Sequence, residues 1–110
     1  MTDKERKYLS DVLVSMDHIL SFTRELKSFH QYKDNFLIKA AVERHLAIVG
    51  EAINKFLKES SQNKLSKATQ IISLRNRLIH SYDSVDDRII WTIVRKHLGA
   101  LKQEIDEMMI

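Results

Sequence analysis

Apolar residues return at steps of three and four along most of this chain, and the steps mark four helical segments. The first runs from about Asp3 to Leu26, with Leu9, Val12, Met16, Ile19, Thr23 and Leu26 in one stripe. Lys27 to Lys33 is polar and aromatic without a period and reads as a connection. Asp34 offers a carboxylate to the free backbone N–H groups that open a second helix. That helix carries Phe36, Ala40, Leu46, Val49, Ile53 and Leu57, and ends in the polar cluster Glu59 to Lys64. Ser66 is the expected cap of a third helix bearing Ala68, Ile71, Ile72, Leu74, Leu78 and Ile79. Ser81 to Ser84 breaks the pattern. Ser84, with Asp87 three residues on, resembles a capping box in which Asp replaces Glu. The fourth helix then carries Val85, Ile89, Ile93, Leu98, Leu101, Ile105 and Met108. Connections this short make neighbours antiparallel, so the expected fold is all-α, an up-and-down antiparallel four-helix bundle. Gly50 weakens the second helix by roughly 1 kcal/mol relative to alanine. A close helix–helix contact explains it better than a hinge. Gly99 has the same explanation or marks fraying.

Composition agrees with the pattern. The chain has 110 residues, no proline and two glycines, so the regular turns of a β-rich fold are missing. Its 44% hydrophobic content supplies one core, and residues 1–110 are expected to form a single domain. A domain of this size buries a modest share of its surface, which favours oligomerisation. The absence of cysteine excludes disulfides, thiolate zinc sites and a cysteine nucleophile. His18, His30, His45 and His97 lack metal-ligand spacing, so neither a metal nor another cofactor is expected. Met1 to Ser10 is charged, and no apolar run reaches the roughly 18 residues of a membrane span. A cytoplasmic protein is expected. The net charge of +3 and pI near 9.2 mildly favour a polyanionic partner.

One segment departs from a scaffold pattern: Arg75-Asn76-Arg77-Leu78-Ile79-His80-Ser81-Tyr82. At about 100° per residue, Ile71, Ile79 and Tyr82 fall within about 40° of Arg75 and Leu78 within about 60°. The guanidinium thus sits in an apolar stripe, where it is costly unless paired. His80 lies about 140° away, with Asn76 one turn before it and Arg77 three residues before it. Asn76 is placed to hold one imidazole nitrogen. On these residues alone, an ion pair of Arg75 with Glu43 or Glu51 is the better reading of the arginine, and a helix-dipole partner that of the histidine. Arg75 and His80 diverge too far on a regular helix to grip one phosphate. Either the helix distorts near its end or a second subunit completes a site.

The same residues resemble the Arg-x4-His-x-Tyr signature of HepT-type HEPN proteins, with Arg75, His80 and Tyr82 in the signature positions and Asn76 as the polar residue after the arginine. Val85-Asp86 and Ile90-Trp91 are similar to the family's sequel to the motif. Ala41-Val42-Glu43-Arg44-His45-Leu46 with Ile48-Val49-Gly50-Glu51-Ala52 is similar to its second-helix block. The likeness spans roughly Asp11 to Trp91 and reverses the preference for a structural role. It implies a homodimeric, metal-independent endoribonuclease, the toxin half of a toxin–antitoxin pair. In that reading His80 is general acid or base, Arg75 stabilises phosphate charge and Asn76 orients the catalytic groups. The implied partners are an RNA substrate, transfer RNA at family level, and a minimal nucleotidyltransferase antitoxin that attaches AMP to Tyr82. Lys39, Arg44, Arg77, Arg88 and Arg95 are candidate phosphate contacts, each individually as well explained as a solvated face residue. His45 reads as a surface or half-buried residue, and Trp91 and Tyr8 as core or interface anchors. The competing class is a catalytically idle adaptor or helical dimerisation module that binds a nucleotidyltransferase.

Overall fold

A computed structural model describes residues 1–60 and 65–110; of the cluster Glu59 to Lys64, positions 61–64 lie outside the described residues. The fold is all-α, as the periodicity predicts. Its elements are α1 (Asp3–Thr23), α2 (Phe29–Lys33), α3 (Phe36–Glu59), α4 (Ala68–His80), a 3-10 turn (Tyr82–Ser84), α5 (Asp87–Thr92), a π turn (Ile93–His97) and α6 (Leu98–Met108).

The helices run against one another in alternating directions. Lys4 near the start of α1 pairs with Glu59 at the end of α3 at 3.1 Å, while Ser15 and His45 meet midway. Between α3 and α4, Glu51 meets Arg75, and Ala47 and Leu78 line a common groove nearer the other end. Leu9, Val12, Met16 and Ile19 from α1 close on Val42, Leu46, Val49, Ile53 and Phe56 from α3. Ile71 and Leu74 of α4 and Leu98, Leu101 and Ile105 of α6 complete the same core. Burying each such aliphatic side chain is worth roughly 1.5–3 kcal/mol, which is why the stripes dictate the architecture.

The ends of the helices differ from the expectation. Asn35, not Asp34, caps α3, with its side-chain oxygen accepting from Ile38 N at 3.0 Å; Asp34 closes the preceding helix instead. That preceding helix, α2, lies within the stretch expected to be only a connection, and Ser28 caps it by accepting from Gln31 N. Ser66 does not cap α4. Its hydroxyl and N–H both reach the Glu104 carboxylate of α6, and Lys67, in the left-handed conformation at φ 64°, precedes α4 without a side-chain cap. Asp86 rather than Ser84 caps α5, accepting from Arg88 N at 2.8 Å. Ser84 Oγ turns back to the Ser81 carbonyl inside the 3-10 turn. α1 ends at Thr23, and Leu26 packs on the core from just beyond it.

No helix among the described residues is long and apolar enough to cross a membrane.

Candidate functional site

Arg75 is half-buried at a tight contact between α3 and α4. A Cβ added to Gly50 would lie 2.4 Å from Arg75 Cβ and 3.1 Å from the Ile71 carbonyl oxygen. No side chain fits there, so the glycine sets the approach of the two helices and the start of the arginine side chain. From that position Arg75 Nη2 reaches Glu51 at 2.5 Å, and Nη1 donates to Asn76 Oδ1 at 3.0 Å. Of the two carboxylates expected as partners, Glu51 holds the guanidinium. Glu43 belongs to another cluster.

Asn76 is therefore drawn toward Arg75, not toward His80 as the one-turn spacing suggested. His80 is the last residue of α4, exposed, with no hydrogen bond or ion pair among the described residues. α4 stays α-helical through His80. Distortion before its end does not bring His80 round to Arg75, and the divergence read from the helical wheel stands. Tyr82 opens the 3-10 turn and is 75% exposed. With Ile79, Leu78, Ala40, Glu43 and Arg44 it borders a shallow groove of about 310 Å³ between α3 and α4. One turn before Ala40, Phe36 and Leu37 are each 81% exposed. Phe36 was expected in the buried stripe of its helix. It faces outward because Val42, Leu46 and Val49, not Phe36 and Ala40, set the phase of the core face.

The candidate basic residues divide. Arg44 and Arg77 are exposed and carry no ion pair among the described residues. Lys39 is paired to Asp87 of α5 at 2.8 Å and lies 5.6 Å from the Phe36 ring centre. Arg88 stacks on Phe29 at 4.4 Å. Arg95 is a structural residue: it donates to the Thr23 and Leu26 carbonyls beyond α1 and stacks on Trp91 at 4.3 Å. Trp91 in turn stacks on Tyr32 at 5.6 Å, an anchor of the core as its type suggests.

Two clusters were not evident from the sequence. In the first, Glu43 and Asp87 face the fully buried Tyr32. Burial, then Asp87, raises the Glu43 carboxyl above its ordinary value, against an opposing effect of Lys39. Burial, then Glu43 and Asp87, likewise pushes the Tyr32 hydroxyl upward. In the second, His18, Phe22 and His45 form a ring cluster between α1 and α3, with His18 and His45 centred 5.0 Å apart. His45 Nδ1 is hydrogen-bonded to the buried Ser15 at 3.1 Å. Burial, then His18 and Arg44, lowers the His45 pKa. Neither cluster follows from local spacing: the pairing of α1 with α3 makes the histidine cluster, and the packing of α2, α3 and α5 makes the one around Tyr32.

With this geometry in hand, comparison with known proteins decides the family. Residues 12–108 match the family described as Ribonuclease HepT-like. The chain belongs to the HepT-like ribonuclease family. Its relatives include Putative RNase MJ1380 of Methanocaldococcus jannaschii, 33% identical over 104 residues, covering 92% of this chain and 93% of that protein. Putative RNase TTE0752 of Caldanaerobacter subterraneus is 32% identical over 106 residues, covering 94% and 93%. Probable ribonuclease HepT of Thermococcus cleftensis is 28% identical over 109 residues, covering 98% of each chain. No solved structure matches the chain significantly. The match of this HepT-like chain to its family includes α4 and the turn after it, the segment that the sequence singled out.

Proposed function

We propose that this HepT-like protein is an endoribonuclease that cleaves RNA by attack of the ribose 2′-hydroxyl, without a metal ion. The observation that carries the reading is the placement of Arg75, a guanidinium fixed in an otherwise apolar stripe by a glycine too tight for any side chain, on the helix that ends in an exposed His80. A purely structural helix has no need of that pair.

His80 takes the proton of the 2′-hydroxyl, whose oxygen then attacks phosphorus. The 5′-oxygen leaves with a proton returned by the imidazolium or supplied by water, giving a 2′,3′-cyclic phosphate and a 5′-hydroxyl end. Arg75 stabilises the charge that builds on the phosphate oxygens, and its hydrogen bond to Asn76 fixes the plane of its fork. Because one α4 holds Arg75 and His80 on diverging faces, two protomers supply the working site. The apolar surface formed by Phe36, Leu37, Ile79 and Tyr82 supports a second copy at that face. Arg44 and Arg77 steer the RNA backbone, and Lys39 contributes only to the extent that it leaves Asp87.

In the cell the protein acts as the toxin of a toxin–antitoxin pair with transfer RNA as a substrate, and a minimal nucleotidyltransferase silences it by adding AMP to Tyr82. The exposure of that hydroxyl suits it to modification. Added phosphate beside Arg75 and His80 would neutralise the site and obstruct RNA.

The test compares wild type with His80→Ala and Arg75→Ala on transfer RNA, with and without a chelator. Wild type should cut in both conditions and leave cyclic phosphate ends, with both variants reduced by two orders of magnitude or more. Equal behaviour of all three would end the nuclease reading. It would leave the second reading, an adaptor or dimerisation module, which draws on the Arg75–Glu51 ion pair as a sufficient use of the arginine. For Tyr82, co-expression with the nucleotidyltransferase should add whole AMP masses that Tyr82→Phe abolishes.

A further inference from the structure

A larger groove opens on the opposite flank of α4, away from α3. It holds about 570 Å³ between α4 and the helices that follow. Ser66–Glu104 ties α4 to α6 at one end, and the Tyr82–Ser84 turn joins α4 to α5 at the other. Between these ties the helices splay. The floor is apolar, from Leu74, Val85, Ile89 and Ile93, and Ile89 stays 45% exposed. The rim is cationic. Arg77 from α4 and Arg88 from α5 both line it, and neither has a carboxylate partner among the described residues. The one acidic rim residue, Asp86, is engaged as the cap of α5.

An apolar floor beneath two guanidiniums without carboxylate partners among the described residues, one of them (Arg88) backed by the Phe29 ring, suits a molecule with an aromatic face and an attached anion. A base buries its face and keeps its polar edge in water, while forked guanidiniums match phosphate oxygens. The volume lies in the range of ordinary ligand pockets. The backbone is unusual on the same wall: Ile93 and His97, the two ends of the π turn, both line the groove. Such turns are rare and often accompany functional sites. Arg77 is three residues before His80, and Val85 follows the turn that carries Tyr82, so the groove begins where the candidate chemistry ends.

We propose that the α4–α5 groove is a nucleotide subsite: it takes an unpaired nucleotide of the RNA beside the scissile one, the base on Ile89 and Val85 and the phosphate between Arg77 and Arg88. The assignment rests on the ribonuclease reading, because it is that substrate which passes His80.

Binding tests the subsite without chemistry. In a His80→Ala background, 5′-AMP should shift the methyl resonances of Val85, Ile89 and Ile93, and should bind about tenfold more tightly than adenosine. A labelled unpaired hexaribonucleotide should bind about tenfold more weakly to Arg88→Glu and to Ile89→Asn, loss of one stacked base being of this size. Absence of methyl shifts at millimolar AMP, or unchanged hexamer affinity in both variants, overturns the subsite; a protein helix as the occupant would give that result. RNA cleavage by wild type is scored separately. Cleavage without AMP shifts removes the subsite and keeps the nuclease, whereas shifts without cleavage keep a nucleotide site and remove the nuclease.

Discussion

Gly50 and Arg75 compete for one space, and the chain resolves the competition in favour of the arginine. Alanine at Gly50 would ordinarily gain about 1 kcal/mol of helix propensity. Here its methyl would meet Arg75 Cβ and the Ile71 carbonyl, so Gly50→Ala should destabilise by about 1–3 kcal/mol net, read as a lower urea midpoint. RNA cleavage should fall with it as Arg75 is displaced. The sequence shows that Gly50 needs a reason and that Arg75 is out of place. It cannot show that each is the explanation of the other, because 25 residues separate them. Tyr32 carries the opposite lesson. Its buried hydroxyl has no hydrogen-bond partner among the described residues. Tyr32→Phe should leave stability unchanged or raise it by up to about 1 kcal/mol, since a buried polar group without a partner is a cost. A clear loss of stability in thermal unfolding would contradict this account.

At the level of helices, every long apolar stripe read from the sequence became a helix, while the caps shifted by a residue or two. The shifts have two causes. Asp34 and Ser84 each stand near another capping residue, Asn35 and Asp86, which takes the role, whereas Ser66 is drawn off by Glu104 of α6. The fourth stripe held a further signal. Its apolar steps are three and four except for the five from Ile93 to Leu98, the span of the π turn. One extra residue in the helix lets Arg95 reach the end of α1 while Leu98, Leu101 and Ile105 keep facing the core. Deleting Lys96 should convert the five-residue step to four, restoring a regular α-helix with Leu98, Leu101 and Ile105 still on the core face. Unfolding should stay cooperative, with a lower melting temperature if the Arg95 contacts to the end of α1 are lost. Between α1 and α3, His45 makes stability depend on acid. Its folded pKa lies below the ordinary value of 6.5, so the native state binds its proton less readily than the unfolded chain. Its contribution is intact above that ordinary value and is lost as pH falls toward the depressed one. His45→Gln should flatten the pH dependence of the melting temperature below about pH 6.5.

For the molecule as a whole, fold class and family were legible because helical periodicity and a spaced motif are properties of the chain itself. The arrangement of the site was less so. The segment Arg75 to Tyr82 contains the groups of the proposed reaction but points them at different neighbours, and no reading of a single helix states which surface a second copy would cover. The exposed Phe36 and Leu37 make that surface testable: if the proposed dimer forms there, Leu37→Glu should convert it to monomer in sedimentation and abolish the proposed RNA cleavage while leaving helix content unchanged. The Arg75–Glu51 pair has a further consequence. At rest the guanidinium already holds an anion. On the proposed ribonuclease reading, RNA binding would exchange one anion for another, and Glu51 would act as a tethered inhibitor present at every encounter. Glu51→Gln should tighten RNA binding and make it more sensitive to added phosphate, because free anions would then compete for a cation that the wild-type protein keeps occupied.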